Sequence, residues 1–211
     1  MKKGVVFGIA LATVLGSIIS CNKVKEMKNA VTQAAEAAKG VEDIEFQMFS
    51  KPEEVQKWYN LVIEKAGAEN AKVMDEVKFT INGSSPEGSD KYYLLTQIVY
   101  QDNVDKRRVQ EILYHGLIGG WQPAETKEIN VIGIGAENFR LEDELFDFTK
   151  LTSEILNKAV ADAWTKYKDD QKYEEQYIRS IEVRKGEIEI VVKGKIKANG
   201  VEKIEIFRTS W

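Results

Sequence analysis

The sequence predicts an α+β fold in which helices cover one face of an antiparallel sheet. Three observations support this class. Several short segments alternate apolar and polar residues, which is typical of half-buried strands. Two longer segments repeat apolar residues every three to four positions, as amphipathic helices do. The strand-like segments are joined by short stretches rich in turn residues, so neighbouring strands are expected to run antiparallel.

The first half of the predicted domain covers residues 41–115. A short alternation over residues 44–48 indicates a strand. A helix is expected next, with Pro52 in its first turn and Gly67 at its end. Three further strands are then predicted, at residues 73–81, 92–100 and 108–115.

A loop at 116–126 leads to a second half at 127–211. This half begins with a predicted strand at 129–134, followed by a helix whose apolar face starts at Phe148. The strands expected after it cover 181–183, 188–196 and 201–207, and Asn199-Gly200 predicts a type I′ turn.

The similar order of elements suggests a tandem duplication of a β-α-β-β-β unit. The offset is about 96 residues between Val55 and Leu151. Residue identity between the halves is poor, so two independent α+β halves and a single sheet without symmetry remain alternatives.

Composition describes an ordinary globular protein, with 43% hydrophobic and 30% charged residues. The formal net charge is −4, and without Lys2 and Lys3 it becomes −6, from 34 acidic against 28 basic residues. Nucleic-acid binding needs a basic surface that releases counterions from phosphate. We therefore expect no nucleic-acid partner.

Residues 1–20 have the pattern of a signal peptide. Lys2 and Lys3 supply its positive start, and the apolar stretch from Val5 to Ile19 is shorter than the roughly 20 residues of a membrane-spanning helix. The stretch ends in Ile18-Ile19-Ser20-Cys21, which resembles the lipobox of bacterial lipoproteins.

This resemblance implies cleavage between Ser20 and Cys21 and acylation of Cys21, the only cysteine of the chain. Several acyl chains anchor a protein stably, whereas one binds a membrane only marginally. The residue after the cysteine is Asn22 and not Asp, which at this position resembles a signal for retention in the inner membrane. The expected location is the bacterial cell envelope, with the outer membrane favoured over the inner.

Residues 21–40 are predicted to join the lipidated cysteine to the domain through a tether helix. Its apolar positions follow helical spacing but are mostly small, and Gly40 suits the helix end. A seam for a partner helix is the alternative interpretation.

No motif predicts a catalytic residue, a metal site or a cofactor. His115 is the only histidine, so it is expected to be structural. The Gly133-Ile134-Gly135 segment has Asn138 where a dinucleotide-binding loop needs its third glycine. An acidic cluster before a helix is explained by the helix dipole; it consists of Glu142, Asp143, Glu144 and Asp147.

Candidate binding residues are aromatic or lie beside an aromatic residue. Trp121 and Gln122 occur in a Gly/Pro segment with no periodic reason to be buried, and Tyr92 and Tyr100 could extend that surface. The leading hypothesis is a non-enzymatic binding or adaptor module with an envelope protein or glycan as partner. The alternatives are a carrier of an apolar small molecule such as a lipid and a hydrolase that uses carboxylates. The oligomeric state is not predicted.

Overall fold

A computed structural model of the chain describes residues 44–67, 71–84, 91–131 and 136–211. The predicted signal peptide, Cys21 and the predicted tether helix lie outside the described residues.

The described residues form one antiparallel sheet in which β1 and β7 occupy the centre. Its strand order is β4-β3-β2-β1-β7-β8-β9, while β5 pairs with β3 and β6 pairs with β1. The strands are β1 (Lys72–Ser84), β2 (Lys91–Gln101), β3 (Val109–His115), β4 (Gly120–Trp121), β5 (Glu125–Lys127), β6 (Leu145–Asp147), β7 (Tyr173–Arg184), β8 (Glu187–Ile196) and β9 (Glu202–Ser210). The predicted α+β class with an antiparallel sheet is confirmed.

Two long helices, α1 (Pro52–Ala66) and α3 (Ser153–Tyr167), pack on the same face of this sheet, whereas the short helix α2 (Leu141–Glu144) does not. Buried residues of α1 and α3 share one core with the central strands. Leu141 of α2 packs instead with Val99. The side chains of Ile98 and Tyr100 point into the core under the long helices, so Val99 between them points to the opposite face of the sheet. The prediction of helices on one face therefore holds for the long helices only.

The ends of α1 follow the sequence signals. Pro52 occupies the first turn, where its missing N–H costs nothing, and Gly67 takes φ +97° at the C-terminal cap. Its apolar face packs on the sheet, with the Trp58 ring 6.4 Å from the Phe79 ring. The sequence thus placed α1 correctly because both of its signals are local.

Two predicted elements have different structures. Residues 44–48 do not form a strand, because the N–H of Met48 bonds to the carbonyl of Glu45 and a 3₁₀ turn covers Met48–Ser50. Adjacent burial of Met48 and Phe49 is incompatible with strand alternation. Phe148, predicted to begin the second long helix, lies in a 3₁₀ turn at Phe148–Lys150. Helix α3 begins at Ser153, and the Thr152 side chain caps it by accepting the N–H of Ile155.

Two connections also differ from expectation. The segment 116–126, predicted as a loop, contains β4 and part of β5, which pair with β3. The β8–β9 turn spans residues 197–200, and Gly200 has φ +70° while Asn199 does not have a positive φ. A type I′ turn requires positive φ at both central residues, so that prediction was wrong. Of the strand predicted at 129–134, residues 129–131 are irregular and 132–134 lie outside the described residues.

Candidate functional site

The four predicted binding residues do not form one surface. Tyr92 and Tyr100 are on the same face of β2, but eight residues separate them by about 26 Å at roughly 3.3 Å per residue. Trp121 pairs with Tyr114, which pairs with Thr96 between the two tyrosines. The Trp121 edge thus lies level with the middle of β2, between the positions of the two tyrosines.

Trp121 and Gln122 make packing contacts at the edge of the sheet. The Trp121 ring lies 5.3 Å from the Tyr114 ring and 6.3 Å from the Trp58 ring, and the Lys65 ammonium is 5.6 Å from its centroid. The side-chain amide of Gln122 donates to the carbonyl of Gly120 at 3.0 Å. These contacts hold β4 against α1.

Tyr100 is almost fully buried, with 8% of its surface exposed. Burial raises the pKa of its phenol, and the nearby charge of Asp102 adds to the effect. A ligand therefore has little access to this side chain.

Tyr92 lines a cleft of about 330 Å³, which we name the Tyr92 cleft. It combines two aromatic rings, two lysines, two glutamates and two glycines. Its lining residues are Gly83, Tyr92, Glu175, Tyr177, Lys193, Gly194, Lys195 and Glu202.

The Tyr92 cleft lies where the two central strands separate. Among the described residues, the β1–β7 ladder ends at Thr80 and Ser180. Beyond this pair β1 continues beside β2 and β7 continues beside β8. Two irregularities in β7 bend it here, and Glu175 takes φ +52°, which is rare outside glycine, Asn and Asp.

An aromatic cluster packs against the cleft wall. The Phe46 ring lies 5.3 Å from Tyr92 and 5.6 Å from Tyr177, while the two tyrosine rings are 5.9 Å apart. The side-chain amide of Gln47 donates to the carbonyl of Gln176 at 3.1 Å. The segment that enters the domain therefore braces the separated strands.

Ion pairs line the other wall of the cleft. The Lys193 ammonium is 2.6 Å from a carboxylate oxygen of Glu202, and that hydrogen bond is the main cause that lowers the pKa of Glu202. Lys195 lies 3.7 Å from Glu174. Burial raises the pKa of the Tyr177 phenol. The lining charges balance, with two lysines against two glutamates.

Sequence reasoning did not identify most of this site. Gly194 had a usable signal, because glycine inside a strand often marks a close approach. A Cβ there would lie 2.5 Å from the Cγ atom of Gln176. The left-handed conformation of Glu175 could not be predicted from the sequence, because glutamate rarely adopts a positive φ.

A second cleft, of about 200 Å³, contains Glu76 beside the buried Glu182. Burial raises the pKa of Glu76. The neighbouring Glu182 raises this pKa further, through a side-chain hydrogen bond and through charge repulsion. Burial alone would also raise the pKa of Glu182, but hydrogen bonds and the positive charges of Lys78 and Arg184 lower it overall.

This carboxyl pair has the geometry of an ion network. The Lys78 ammonium is 2.7 Å from Glu182, and Arg184 contacts both carboxylates, at 3.2 Å for Glu76. Retaining glycosidases hold their carboxyl groups about 5 Å apart with the sugar between them. The Arg184 guanidinium contacts both Glu76 and Glu182, so it occupies the place where a sugar would lie.

The other motifs of the sequence lie apart from these clefts. The His115 ring stacks on Tyr93 at 5.2 Å, and its Nδ1 atom accepts the N–H of Leu117. Gly133-Ile134-Gly135 lies outside the described residues. Within the described ranges, no group of three or more His, Cys, Asp or Glu side chains is arranged to hold a metal ion. No helix in those ranges is long and apolar enough to cross a membrane.

Comparisons of the chain with protein-family models, curated proteins and solved structures find no match.

Proposed function

We propose that this protein is a bacterial lipoprotein, held in the cell envelope by acyl chains on Cys21, whose folded domain is a non-enzymatic binding module. The observation that carries the proposal is Ile18-Ile19-Ser20-Cys21 at the end of a basic and apolar leader. The only cysteine of the chain stands where such a leader needs it. The outer membrane is the favoured location, and the partner is an envelope protein or glycan.

The Tyr92 cleft supports a binding role. It is preformed, and both of its rings are braced by Phe46. Ligand sites commonly combine aromatic side chains with a few polar groups. Tyr92, one of the candidate binding residues, lines this cleft, whereas Trp121 and Tyr100 are engaged in packing.

Few residues separate the proposed anchor from the Tyr92 cleft in the sequence. The N–H of Ile44 donates to the carbonyl of Tyr92 at 3.3 Å, so the described chain begins beside the cleft. Ile44 is 23 positions after Cys21 (44 − 21). That length spans at most about 80 Å when extended and about 35 Å as the proposed tether helix.

The two alternative functions have less support. A lipid carrier needs space between sheet and helices, but large buried side chains occupy that region, among them Phe49, Trp58, Phe79, Phe148 and Leu156. A carboxylate hydrolase needs two carboxyl groups with its substrate between them, and Arg184 contacts both members of the Glu76–Glu182 pair instead.

We also propose that the two halves arose by duplication of a helix and the three strands after it. Buried positions of α1 and α3 correspond at a constant offset of 101, as from Val55 to Leu156 (156 − 55) and from Val62 to Ala163 (163 − 62). This offset replaces the value of about 96 that the sequence suggested. In both halves, a 3₁₀ turn precedes the helix and an acidic residue with positive φ lies in the next strand.

The lipoprotein proposal is tested with Cys21→Ser in full-length protein expressed in bacteria. We expect the wild type to incorporate labelled palmitate and to partition into detergent, and the variant to do neither. Ser20→Ala is the matched control, because it keeps a small residue before the cysteine and should be processed normally. Unchanged labelling and partitioning of Cys21→Ser would contradict the anchor.

A further inference from the structure

We propose that the Tyr92 cleft binds a neutral saccharide, as one or two sugar rings of a glycan. This inference names the ligand class of the binding module proposed above and rests on that function.

The size of the cleft suits a small ligand. At about 330 Å³ it is at the small end of the roughly 300–1,000 Å³ range of ligand pockets, so it fits a small group rather than a folded partner.

The aromatic wall suits the faces of sugar rings. A pyranose has faces of C–H groups and an edge of hydroxyl groups, so it needs an apolar plane beside polar atoms. Tyr92 is half-buried, so part of its ring faces the cleft, and its phenol adds a polar atom. Tyr177 is only 6% exposed, so its ring supports Tyr92 and offers a ligand little surface of its own.

The charged wall favours a neutral ligand. Lys193 and Glu202 already form an ion pair at 2.6 Å, and Lys195 has Glu174 at 3.7 Å. An anion would have to separate one of these lysines from its carboxylate and leave that carboxylate without its partner. Sugar hydroxyls can donate to Glu202 and accept from Lys193 without displacing either one. The pairing of both lysines thus selects against strong anions.

The backbone around the cleft favours a preorganised site. Glu175 is held at φ +52° in the bulge of β7, a conformation with an energetic cost that persists only where neighbours enforce it. Gly194 leaves room for Gln176, which accepts the N–H of Asp169 and donates to the carbonyl of Tyr167. A ligand therefore needs to order little of the protein when it binds.

The test is isothermal titration calorimetry on full-length protein in a detergent without a sugar headgroup. The probes are the neutral trisaccharides tri-N-acetylchitotriose, maltotriose and cellotriose, with the dipeptide Ala-Ala as a zwitterion the size of a single sugar ring. We expect saturable binding of at least one trisaccharide and none of the dipeptide. Affinity should fall at least tenfold in Tyr92→Ala and in Glu202→Gln.

Matched controls separate binding from folding. Tyr93→Ala removes the neighbouring ring on the opposite face of β2, where it stacks on His115, and Glu205→Gln removes a nearby carboxylate of the same strand as Glu202. Both should bind the trisaccharide as wild type does. Glu202 is 66% exposed on its side chain, so Glu202→Gln tests the site even if Tyr92→Ala does not fold.

Two results would overturn the inference. One is that no trisaccharide binds, and the other is that binding is unchanged in Glu202→Gln and in folded Tyr92→Ala. Saturable binding of Ala-Ala alone would reject the saccharide but leave the binding module standing. If neither probe class binds and the protein captures no envelope component, the binding function itself fails, while lipidation is judged separately through Cys21→Ser.

Discussion

Trp121 contributes to the core through one neighbour in sequence and one distant residue. Its ring meets Tyr114 on β3, seven positions earlier (121 − 114), and Trp58 on α1, 63 positions earlier (121 − 58). Aromatic pairs of this kind add about 0.5–1.5 kcal/mol beyond the burial of area. The side chain fastens the edge strand β4 to the rest of the domain.

We expect Trp121→Ala to lower the free energy of unfolding by about 2–3 kcal/mol, less than for a fully buried tryptophan because the ring is only half-buried. Urea unfolding followed by circular dichroism measures this change. Val104→Ala, at a side chain that is 95% exposed, is the control and should have no effect. A stable Trp121→Ala that no longer binds a partner would make Trp121 a contact residue instead.

Glu182 is the most buried carboxylate of the ion network. Its folded pKa is lowered by hydrogen bonds and by Lys78 and Arg184. A carboxyl group with a lowered folded pKa stabilises the fold above its unfolded pKa, and this contribution is lost as pH falls through the folded value.

Glu182→Gln should therefore destabilise the protein by about 1–3 kcal/mol at neutral pH, at the low end of buried pairs because Lys78 and Arg184 remain about half exposed. The difference from wild type should shrink as pH falls below the pKa of the carboxyl group. Thermal unfolding across pH checks this, with Glu187→Gln on neighbouring β8 as control. A difference independent of pH would show that the effect is packing rather than charge.

At the scale of elements, the bulge in β7 determines where the sheet divides. The bulge lies between Glu174 and Tyr177, and Glu175 adopts the left-handed region that costs a residue with a side chain about 1–2 kcal/mol. Asp75 has a similar conformation, φ +60°, in β1. Both central strands therefore store strain next to a cleft.

Replacing Glu175 with glycine should raise the free energy of unfolding by about 1 kcal/mol, because glycine adopts positive φ without strain. Glu174→Gly is the matched control. Its φ is not positive, so glycine there should destabilise by about 0.5–1 kcal/mol. Urea denaturation of both variants decides the matter, and equal destabilisation would mean that the left-handed conformation carries no strain.

At the scale of the whole molecule, β1 and β7 join the two proposed repeats into one cooperative sheet. Val77 pairs with Val183 and Phe79 with Ile181, and all four side chains are buried. Both long helices pack over this pair in a single core. Such a core is expected to unfold in one step.

Native-state hydrogen exchange should give the slowest amide exchange in β1 and β7, with the same free energy of opening in both. The short strands β4 and β5 should exchange much faster, since each pairs only with β3 in the described sheet. Mass spectrometry of peptides from each strand measures these rates. Different opening free energies for β1 and β7 would mean that the halves unfold independently.

The sequence by itself determined most of the main elements. Five long strands and α1 lie close to their predicted positions, because a period of two or of 3.6 is a local consequence of burying one side of an element. Of β7 only residues 181–183 were predicted, because its bulges interrupt the alternation of the residues before them. Tertiary structure decided the rest: the pairing of β1 with β7, the separation beyond Thr80 and Ser180 that opens the Tyr92 cleft, and the burial of Tyr100. The first two features depend on contacts between segments about a hundred residues apart, and such contacts leave no periodic pattern in either segment.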